Sequence, residues 1–335
     1  MTHPTHPAIP TRAPSRIAVD DTALPFEVSA LDVRGRIVRL GPAIDDILDK
    51  HDYPAPVAKL TAEAVVLATM LGSALKFDGR FIMQTQTDGP VRMLVVDYKT
   101  PGQIRAHARY DRTAVDAAIA AGKDKPGALL GQGHLAMTID QGADMNRYQG
   151  LVPLAGGSLE DAAHEYFLRS EQIPTRVKLA VAEEFRAGEG GAKRRWRAGG
   201  VMLQFLPKAQ ERARRDLDAG DAPDGVDASF AAEDDAWVEA RALVDTVEDI
   251  ELIDPDISSE RLAYRLFNER GVRVFDTLPV AAQCSCSRDA VEAMLKSFGQ
   301  DDRDHMVEDG QIKVTCEFCS TEYVFQPDEV GAAAR

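Results

Sequence analysis

Residues 284–319 decide the fold: the stretch begins with Cys284-Ser285-Cys286, continues for 29 residues and ends with Cys316-Glu317-Phe318-Cys319. These four cysteines are all that the 335-residue chain contains. Two thiol pairs at this separation can converge on one ion, because zinc in structural sites takes four soft donors in a tetrahedron. The spacing predicts a small C-terminal domain folded around one zinc ion held by Cys284, Cys286, Cys316 and Cys319.

The residues between the two pairs provide a scaffold. Ser287 is a favoured N-cap for a helix over 288–298, and the apolar runs 311–315 and 321–325 predict a two-stranded ribbon. Because this segment has few large apolar residues, we expect metal binding to supply much of its folding free energy. Apparent zinc binding is worth about 10 to 16 kcal/mol in small domains.

The C-x-C pair leaves two interpretations open. A static zinc ribbon that serves as a docking module accounts for the spacing as well as a redox switch does. C-x-C is uncommon in plain ribbons, however, and it places two thiols close enough to oxidise to a disulfide. Metal-bound thiolates are already in the form that oxidants attack, so the pattern favours a peroxide-sensitive site.

The long N-terminal part, residues 23–206, predicts an α+β domain of mainly antiparallel sheet with packed helices. Apolar residues at three-and-four spacing predict a buried helix over 56–76. The runs 81–87 and 91–98 flank Asp88-Gly89-Pro90, which is typical of a hairpin. Further elements are predicted by alternation and capping: strands over 31–40, 104–110, 134–140, 149–154 and 176–182, and a helix over 159–169 capped by Ser158.

Charge is unevenly placed along the chain, whose formal net charge is -15. Residues 216–256 hold 15 acidic residues and one basic residue, whereas 193–215 hold eight basic residues and one acidic residue. We therefore predict a partly helical, acidic linker over 207–258, with a helix near Trp237, and we expect the two oppositely charged segments to attract each other. The remaining units are a tail over 1–22, the zinc-binding domain over 259–327 and a tail over 328–335.

Two segments near residue 200 have more than one interpretation. The run Lys193-Arg194-Arg195-Trp196-Arg197 is predicted to be a solvated loop, with a nucleic-acid patch as the less favoured alternative. The apolar run Val201–Leu206 is either an edge strand of the core or part of a surface that binds other proteins. Both depend on contacts that the sequence does not reveal.

Composition excludes several classes of protein. The acidic balance opposes binding to nucleic acid, and even the apolar segment 57–75 carries Lys59 and Glu63, so no membrane span is predicted. The Pro-rich first residues lack the apolar core of a signal peptide, so a cytoplasmic protein is expected. No nucleophile elbow or Walker-type loop is visible, and no enzyme is predicted.

The cysteine pattern resembles that of the bacterial 33-kDa chaperonin family, the redox-regulated heat-shock holdases, and the resemblance covers roughly residues 23–326. Outside the cysteines it is carried by Tyr148-Gln149-Gly150-Leu151-Val152-Pro153-Leu154, Tyr166-Phe167, Ser170-Glu171-Gln172, Pro174-Thr175 and Ala198-Gly199-Gly200 leading to Gln204 and Leu206-Pro207.

The resemblance implies an ATP-independent holdase that is inactive while reduced and zinc-bound. Oxidation would pair Cys284 with Cys286 and Cys316 with Cys319, release zinc and unfold the C-terminal domain and linker. Unfolding client proteins would bind apolar residues near the linker, for which the candidates are Val201, Met202, Leu203, Phe205, Trp237 and Val244. The active form would be a homodimer that passes clients to ATP-dependent foldases. The alternative is a constitutive zinc-ribbon module for RNA, the ribosome or a protein partner.

Overall fold

A computed structural model describes residues 20–142, 147–188, 191–206 and 234–331, without the side chains of 186–188 and 191–193. The Pro-rich part of the predicted N-terminal tail lies outside the described residues, and so does the stretch 207–233 of the predicted linker. The core begins slightly earlier than predicted, because Thr22 already forms the first strand.

Two six-stranded sheets and one small ribbon make up the fold. The first sheet contains β1 (Thr22–Val28), β2 (Val33–Leu40), β8 (Thr175–Gly188), β9 (Gly191–Phe205), β10 (Arg273–Val274) and β11 (Leu278–Pro279). The second contains β3 (Arg80–Thr87), β4 (Val91–Lys99), β5 (Gln103–Tyr110), β6 (Gln132–Asp140), β7 (Tyr148–Ala155) and β12 (Ala281–Ala282). The ribbon pairs β13 (Ile312–Thr315) with β14 (Glu322–Phe325).

The strand order is β10-β1-β2-β9-β8 in the first sheet, with β11 also on β1, and β12-β5-β4-β3-β6-β7 in the second. The pairings are antiparallel apart from β12 on β5. The predicted α+β class and the predicted hairpin around Asp88-Gly89-Pro90 are confirmed.

Ten helices connect or cover the sheets in the described residues. They are α1 (Pro42–Leu48), α2 (Ala55–Gly72), α3 (Arg112–Ala120), α4 (Pro126–Leu130), α5 (Leu159–Tyr166), α6 (Asp235–Asp245), α7 (Asp249–Ile253), α8 (Ser259–Phe267), α9 (Arg288–Lys296) and α10 (Gln300–His305). Short 3-10 turns lie at Ser29–Leu31 and Pro327–Val330, and a π turn at Phe167–Glu171. Ser158 caps α5 and Ser287 caps α9, both as predicted.

Helix α2 packs between the two sheets and forms the centre of the main core. It is the one helix among the described residues that is long and apolar enough to cross a membrane, and 78% of it is buried inside the protein. Thr61 and Thr69 satisfy their hydroxyls on carbonyls one turn back, at 2.8 and 2.7 Å. This is the packing of a core helix.

The outer face of the first sheet is covered by the helices that follow the undescribed linker segment. A second apolar cluster forms there from strands β1, β2, β8 and β9 on one side and from α6, α7 and α8 on the other. Nine of its eighteen buried side chains come from residues 237–267. The sheet therefore has one apolar face against α2 and a second against the linker helices.

Two predictions near residue 200 are wrong. The run Lys193–Arg197 is not a loop but part of the long strand β9, in which Trp196 and Arg197 are buried. Val201–Leu206 is not an edge strand, because β9 lies between β2 and β8. The basic residues pair with β8 as part of the β8–β9 ladder, which local composition does not indicate.

The expected attraction between the two charged segments is not what the described residues show. Arg194 pairs with Glu183 at 3.0 Å and Arg195 with Asp45 at 3.2 Å, both within the N-terminal domain. The linker carboxylate of Asp245 pairs instead with Arg176, at 2.6 Å. Contacts between linker and sheet thus depend on Arg176 and Arg39, which the charge pattern did not single out, and on Arg197 of the basic segment, which donates to the carbonyl of Ile253.

The predicted start of the C-terminal tail at residue 328 is too early. Val330 is 1% exposed and belongs to the small apolar cluster of the cysteine domain with Leu295, Ile312 and Phe325. The 3-10 turn Pro327–Val330 closes this cluster, so the packed chain continues at least to residue 330.

Candidate metal centre

The first cysteine pair follows strand β12, which lies on the edge of the second sheet. The backbone N–H of Ala281 donates to the carbonyl of Gly102 at 2.8 Å, and that of Gln283 donates to Ile104 at 3.0 Å. These two hydrogen bonds hold the chain against β5 up to the residue before Cys284. The position of the first pair is therefore set by the N-terminal domain.

The second pair lies in the turn of the β13–β14 ribbon. The N–H of Ser320 donates to the carbonyl of Cys316 at 2.8 Å, and the N–H of Cys316 donates to Thr321 at 2.9 Å. Ser320 takes a left-handed conformation with φ of 55°, which a tight reversal requires. The turn brings Cys316 and Cys319 to the same side, next to the first pair.

The four cysteine sulfurs lie close together, as expected for the metal site that the sequence predicts. All four Sγ atoms lie within 4.8 Å of one another, with separations of 3.7 Å for Cys284–Cys316 and 3.4 Å for Cys286–Cys319. Sulfurs at about 2.3 Å from a tetrahedral zinc ion are about 3.8 Å apart. The donor set therefore fits one metal ion that prefers soft ligands.

The thiols differ in how readily they ionise. Burial raises the pKa of Cys286 to about 12 and also raises the pKa of Cys316. Burial opposes ionisation of Cys319 as well, but hydrogen bonds with the Thr321 hydroxyl and backbone lower its pKa to about 7. Burial thus opposes the thiolate form of Cys286 and Cys316, and a bound cation would offset that cost.

Besides Thr321, which contacts Cys319, two further side chains outside the cysteine set reach the sulfurs. The Tyr323 hydroxyl donates to Sγ of Cys286 at 3.1 Å, and Nη1 of Arg105 donates to Sγ of Cys284 at 3.7 Å. Sequence reasoning missed both. The contact of Arg105 could have been suspected from the sequence. Arg105, His107 and Arg109 alternate with the apolar residues of β5, which indicates a polar face on that strand.

The turn that carries the second pair also contacts the N-terminal domain. The Ser320 hydroxyl donates to the carbonyl of Lys50 at 2.6 Å, and Arg109 pairs with Glu317 at 3.0 Å. The ring of Phe318 lies under the guanidinium of Arg105, 4.1 Å from its centroid, and edge-on to His107. The cysteine centre is therefore at the junction between the small domain and the second sheet.

The predicted client-binding residues are buried in this conformation. Val201, Leu203, Phe205, Trp237 and Val244 all belong to the cluster between the first sheet and the linker helices. Met202 faces the opposite side of β9 and belongs to the main core around α2. Separation of the linker helices would expose the first five residues but not Met202.

The fold and the site together define a class of two-sheet α+β proteins with a four-cysteine centre and helices over an apolar sheet face. The family model described as Hsp33 protein matches residues 21–326. The chain belongs to the Hsp33 family. Its relatives are named chaperonins, a non-enzymatic role, and the C-terminal cysteine cluster fits a chaperone.

Individual relatives agree over nearly the whole length. The 33 kDa chaperonin of Caulobacter vibrioides is 46% identical over 318 residues, which are 94% of this chain and 98% of the relative. That of Pseudomonas paraeruginosa is 35% identical over 313 residues, 93% of each chain. The crystal structure of the 33 kDa chaperonin (heat shock protein 33 homolog) of Thermotoga maritima has a TM-score of 0.69 at 19% identity, covering 93% of this chain and 97% of that one. The last comparison supports the fold.

Proposed function

We propose that this protein is a redox-regulated, ATP-independent holdase whose reduced form binds one zinc ion through Cys284, Cys286, Cys316 and Cys319. Zinc, when bound, would keep the four sulfurs deprotonated and cross-link the segment after β12 to the β13–β14 turn. The single observation that carries the proposal is the apolar cluster between the first sheet and the linker helices, half of which comes from residues 237–267.

This cluster is the source of a binding surface for unfolding proteins. Each large apolar side chain that moves from the interior to water costs about 1.5 to 3 kcal/mol, and such a surface attracts other apolar chains. Separation of α6, α7 and α8 would uncover Val201, Leu203 and Phe205 on the sheet and Trp237 and Val244 on the linker. We propose these five as client-binding residues and exclude Met202, which stays in the main core.

The metal centre and the linker helices are connected by residues 268–283. Within this segment β10 and β11 pair with β1 of the first sheet, and β12 pairs with β5 of the second. Each pairing is two residues long. Strands so short depend on their flanking anchors, so loss of the cysteine domain would weaken the segment and then the packing of α8.

Oxidation by hydrogen peroxide balances with one peroxide for each cysteine pair. A thiolate attacks one peroxide oxygen, the O–O bond breaks, and a second thiolate displaces hydroxide from the resulting sulfenic acid. Sulfur loses two electrons per disulfide, the peroxide gains two, and two protons convert the hydroxides to water. We propose the disulfides Cys284–Cys286 and Cys316–Cys319. Sulfur contacts of 3.7 and 3.4 Å also join Cys284 to Cys316 and Cys286 to Cys319, so the alternative pairing has to be tested.

The same proposal covers location and partners. The clients are unfolding proteins in the cytoplasm, the active form is a homodimer, and clients pass to ATP-dependent foldases after reduction. The functional units are the core 22–206, the linker 207–258 and the cysteine domain 259–330, with α8 packed alongside the linker helices in the closed form.

The test follows zinc and client binding in the same sample. Zinc-loaded full-length protein is treated with peroxide at elevated temperature, zinc release is read with a chromogenic chelator, and light scattering of a thermally unfolding client is recorded. We expect suppression of client aggregation to appear only with zinc loss and to disappear after reduction with zinc restored. Zinc loss without any gain in suppression would instead indicate a constitutive zinc-ribbon module.

Disulfide mapping by mass spectrometry tests the pairing separately. Single peptides with an internal Cys284–Cys286 or Cys316–Cys319 disulfide, each about 2 Da lighter than its reduced form because two hydrogens are lost, are expected in the oxidised protein. Disulfides between Cys284 and Cys316, or between Cys286 and Cys319, would contradict the proposed pairing even if client binding is redox-dependent.

A further inference from the structure

One side chain of the second sheet touches both halves of the metal centre. Arg105 on β5 donates to Sγ of Cys284 through Nη1, at 3.7 Å, and its guanidinium lies over the ring of Phe318 at 4.1 Å. Cys284 belongs to the first cysteine pair, and Phe318 lies between the two cysteines of the second. Arg105 therefore contacts both of the chain segments that form the metal centre.

Asp97 fixes the orientation of the Arg105 guanidinium through two hydrogen bonds. Nε and Nη2 of Arg105 donate to Oδ2 of Asp97 at 2.9 and 2.7 Å. The Asp97 side chain is 8% exposed and also pairs with Arg80 at 3.2 Å. A planar guanidinium that uses Nε and Nη2 on one carboxylate presents Nη1 in a defined direction, which here is toward the sulfur.

We propose that Arg105 is a positioning residue that protects the Cys284 sulfur from oxidants and joins the metal centre to the second sheet. This inference rests on the proposed function. Four thiolates around a divalent ion carry a net negative charge, and an N–H donor to one of them withdraws electron density from that sulfur. The sulfur is then a weaker nucleophile toward peroxide.

The step that Arg105 controls is the first one in oxidation. A lone pair of the Cys284 sulfur attacks peroxide, the O–O bond breaks, the sulfur becomes a sulfenic acid, and the released hydroxide takes a proton to become water. Peroxide is the oxidant and gains the two electrons that sulfur loses. Because Nη1 donates to the Cys284 sulfur, we expect this sulfur to react more slowly than it would without Arg105.

The test compares Arg105→Met with wild type as zinc-loaded, full-length proteins. Methionine keeps an unbranched apolar stem but has no charge and no N–H donor. We expect peroxide-driven zinc release to become about tenfold faster or more, the change expected when a hydrogen bond to a charged group is lost. Alkylation of Cys284 by iodoacetamide, without peroxide or client and mapped by mass spectrometry, should increase by a similar factor.

Arg109→Met is the matched control. Arg109 lies two residues along the same strand and docks the same turn through Glu317, but both side chains are more than half exposed and neither contacts a sulfur in the described structure. Exposed ion pairs contribute little, so zinc release and Cys284 alkylation should stay within about twofold of wild type. An equal acceleration in Arg109→Met would assign the effect to docking and would overturn the proposed protection of sulfur.

Arg105→Lys extends the test to a variant that keeps the charge. Lysine cannot donate to Asp97 and Cys284 in the same fixed geometry, so we expect rates of zinc release and Cys284 alkylation between those of wild type and Arg105→Met. If Arg105→Met does not fold, Arg105→Lys replaces it in the test. Wild-type rates of Cys284 alkylation in the folded variants would refute the proposal. Because alkylation is measured without client, that outcome is independent of whether zinc loss activates client binding.

Discussion

The indole of Trp237 packs on the ring of Phe205, with ring centroids 6.1 Å apart and planes tilted by 36°. Trp237 belongs to linker helix α6 and Phe205 ends strand β9, so this pair joins the linker to the face of the first sheet that it covers. Both side chains are buried, at 5% and 8% exposure. The contact is therefore a direct measure of whether the linker is docked.

Replacing Trp237 by alanine should release the linker without oxidation. Removal of a buried tryptophan costs about 3 to 5 kcal/mol, which is large compared with the stability of a few packed helices. We expect Trp237→Ala to suppress client aggregation before peroxide is added, with zinc still bound. Val238→Ala is the matched control, because Val238 is the next residue and is 39% exposed. A Trp237→Ala protein that stays inactive until oxidised would contradict a regulatory role for this contact.

Replacing Gly199 by alanine should displace helix α7. An added Cβ at Gly199 would lie 2.1 Å from the carbonyl oxygen of Leu252, which no side-chain movement can relieve. The carbonyls at this end of α7 also accept hydrogen bonds from Arg39 and Arg197, at 3.0 Å for Glu251 and 2.6 Å for Ile253. We expect faster amide hydrogen exchange in α7 while β3 and β4 stay protected.

The control for that variant is Gly299→Ala in the cysteine domain, where an added Cβ has only the Asp302 carboxylate within 4 Å, at 3.5 Å. It should leave exchange in α7 unchanged. Unchanged exchange in Gly199→Ala would show that α7 is not tightly docked against β9.

Much of the fold could be predicted because its signals are local. The hairpin β3–β4 follows from two apolar runs around a turn, and α5 follows from a Ser158 cap with Asp161 at the third position, which form a reciprocal capping box. Helix α3 was not predicted although Asp111 caps it, because Val115 is its one buried residue and no apolar stripe forms. Apolar periodicity identifies helices that bury one face against a core, and α3 buries only Val115.

The errors near residue 200 have a different origin. Arg197 looks like a solvated residue, but it is buried in β9 through a two-pronged ion pair with Asp20 and a hydrogen bond to the carbonyl of Ile253. These partners are far away in sequence. The metal centre shows the same contrast: the cysteine spacing identified the convergence of four sulfurs, whereas Arg105 lies 179 positions from Cys284 and could not be identified by spacing.

Removing the metal should unfold the cysteine domain and leave the two large sheets intact. Leu295, Ile312, Phe325 and Val330 are the buried side chains of its apolar cluster, too few to balance the entropy of ordering the roughly 45 to 50 residues from 284 to 330. With a strong chelator at pH 7, we expect amides of β13 and β14 to lose protection while those of α2 keep it. Re-addition of zinc should restore protection, and ribbon amides that stay protected in the metal-free protein would contradict the prediction.

Neutralising Glu63 should stabilise the protein at alkaline pH. Burial raises the pKa of Glu63 to about 7, with repulsion from Glu160 and Asp249 in the same direction and Lys59 opposing it. A carboxyl group whose pKa is higher in the folded state destabilises that state as pH rises from about 4.5 through 7, where the unfolded chain ionises first. Glu63→Gln should therefore add about 1 to 3 kcal/mol at pH 8 and little at pH 5.

Thermal unfolding of the zinc-loaded protein at both pH values checks this, because stabilisation appears as a higher melting temperature. Glu269→Gln is the control, since this exposed acid lies just after α8 and should change stability by less than about 0.5 kcal/mol at either pH. Equal melting temperatures of Glu63→Gln and wild type at pH 8 would mean that Glu63 is solvated in solution. A higher melting temperature of Glu63→Gln at pH 8 alone would show that Glu63 is ionised and repels Asp249 at the start of α7. Slower activation of this variant by peroxide would show in addition that ionisation of Glu63 favours release of the linker.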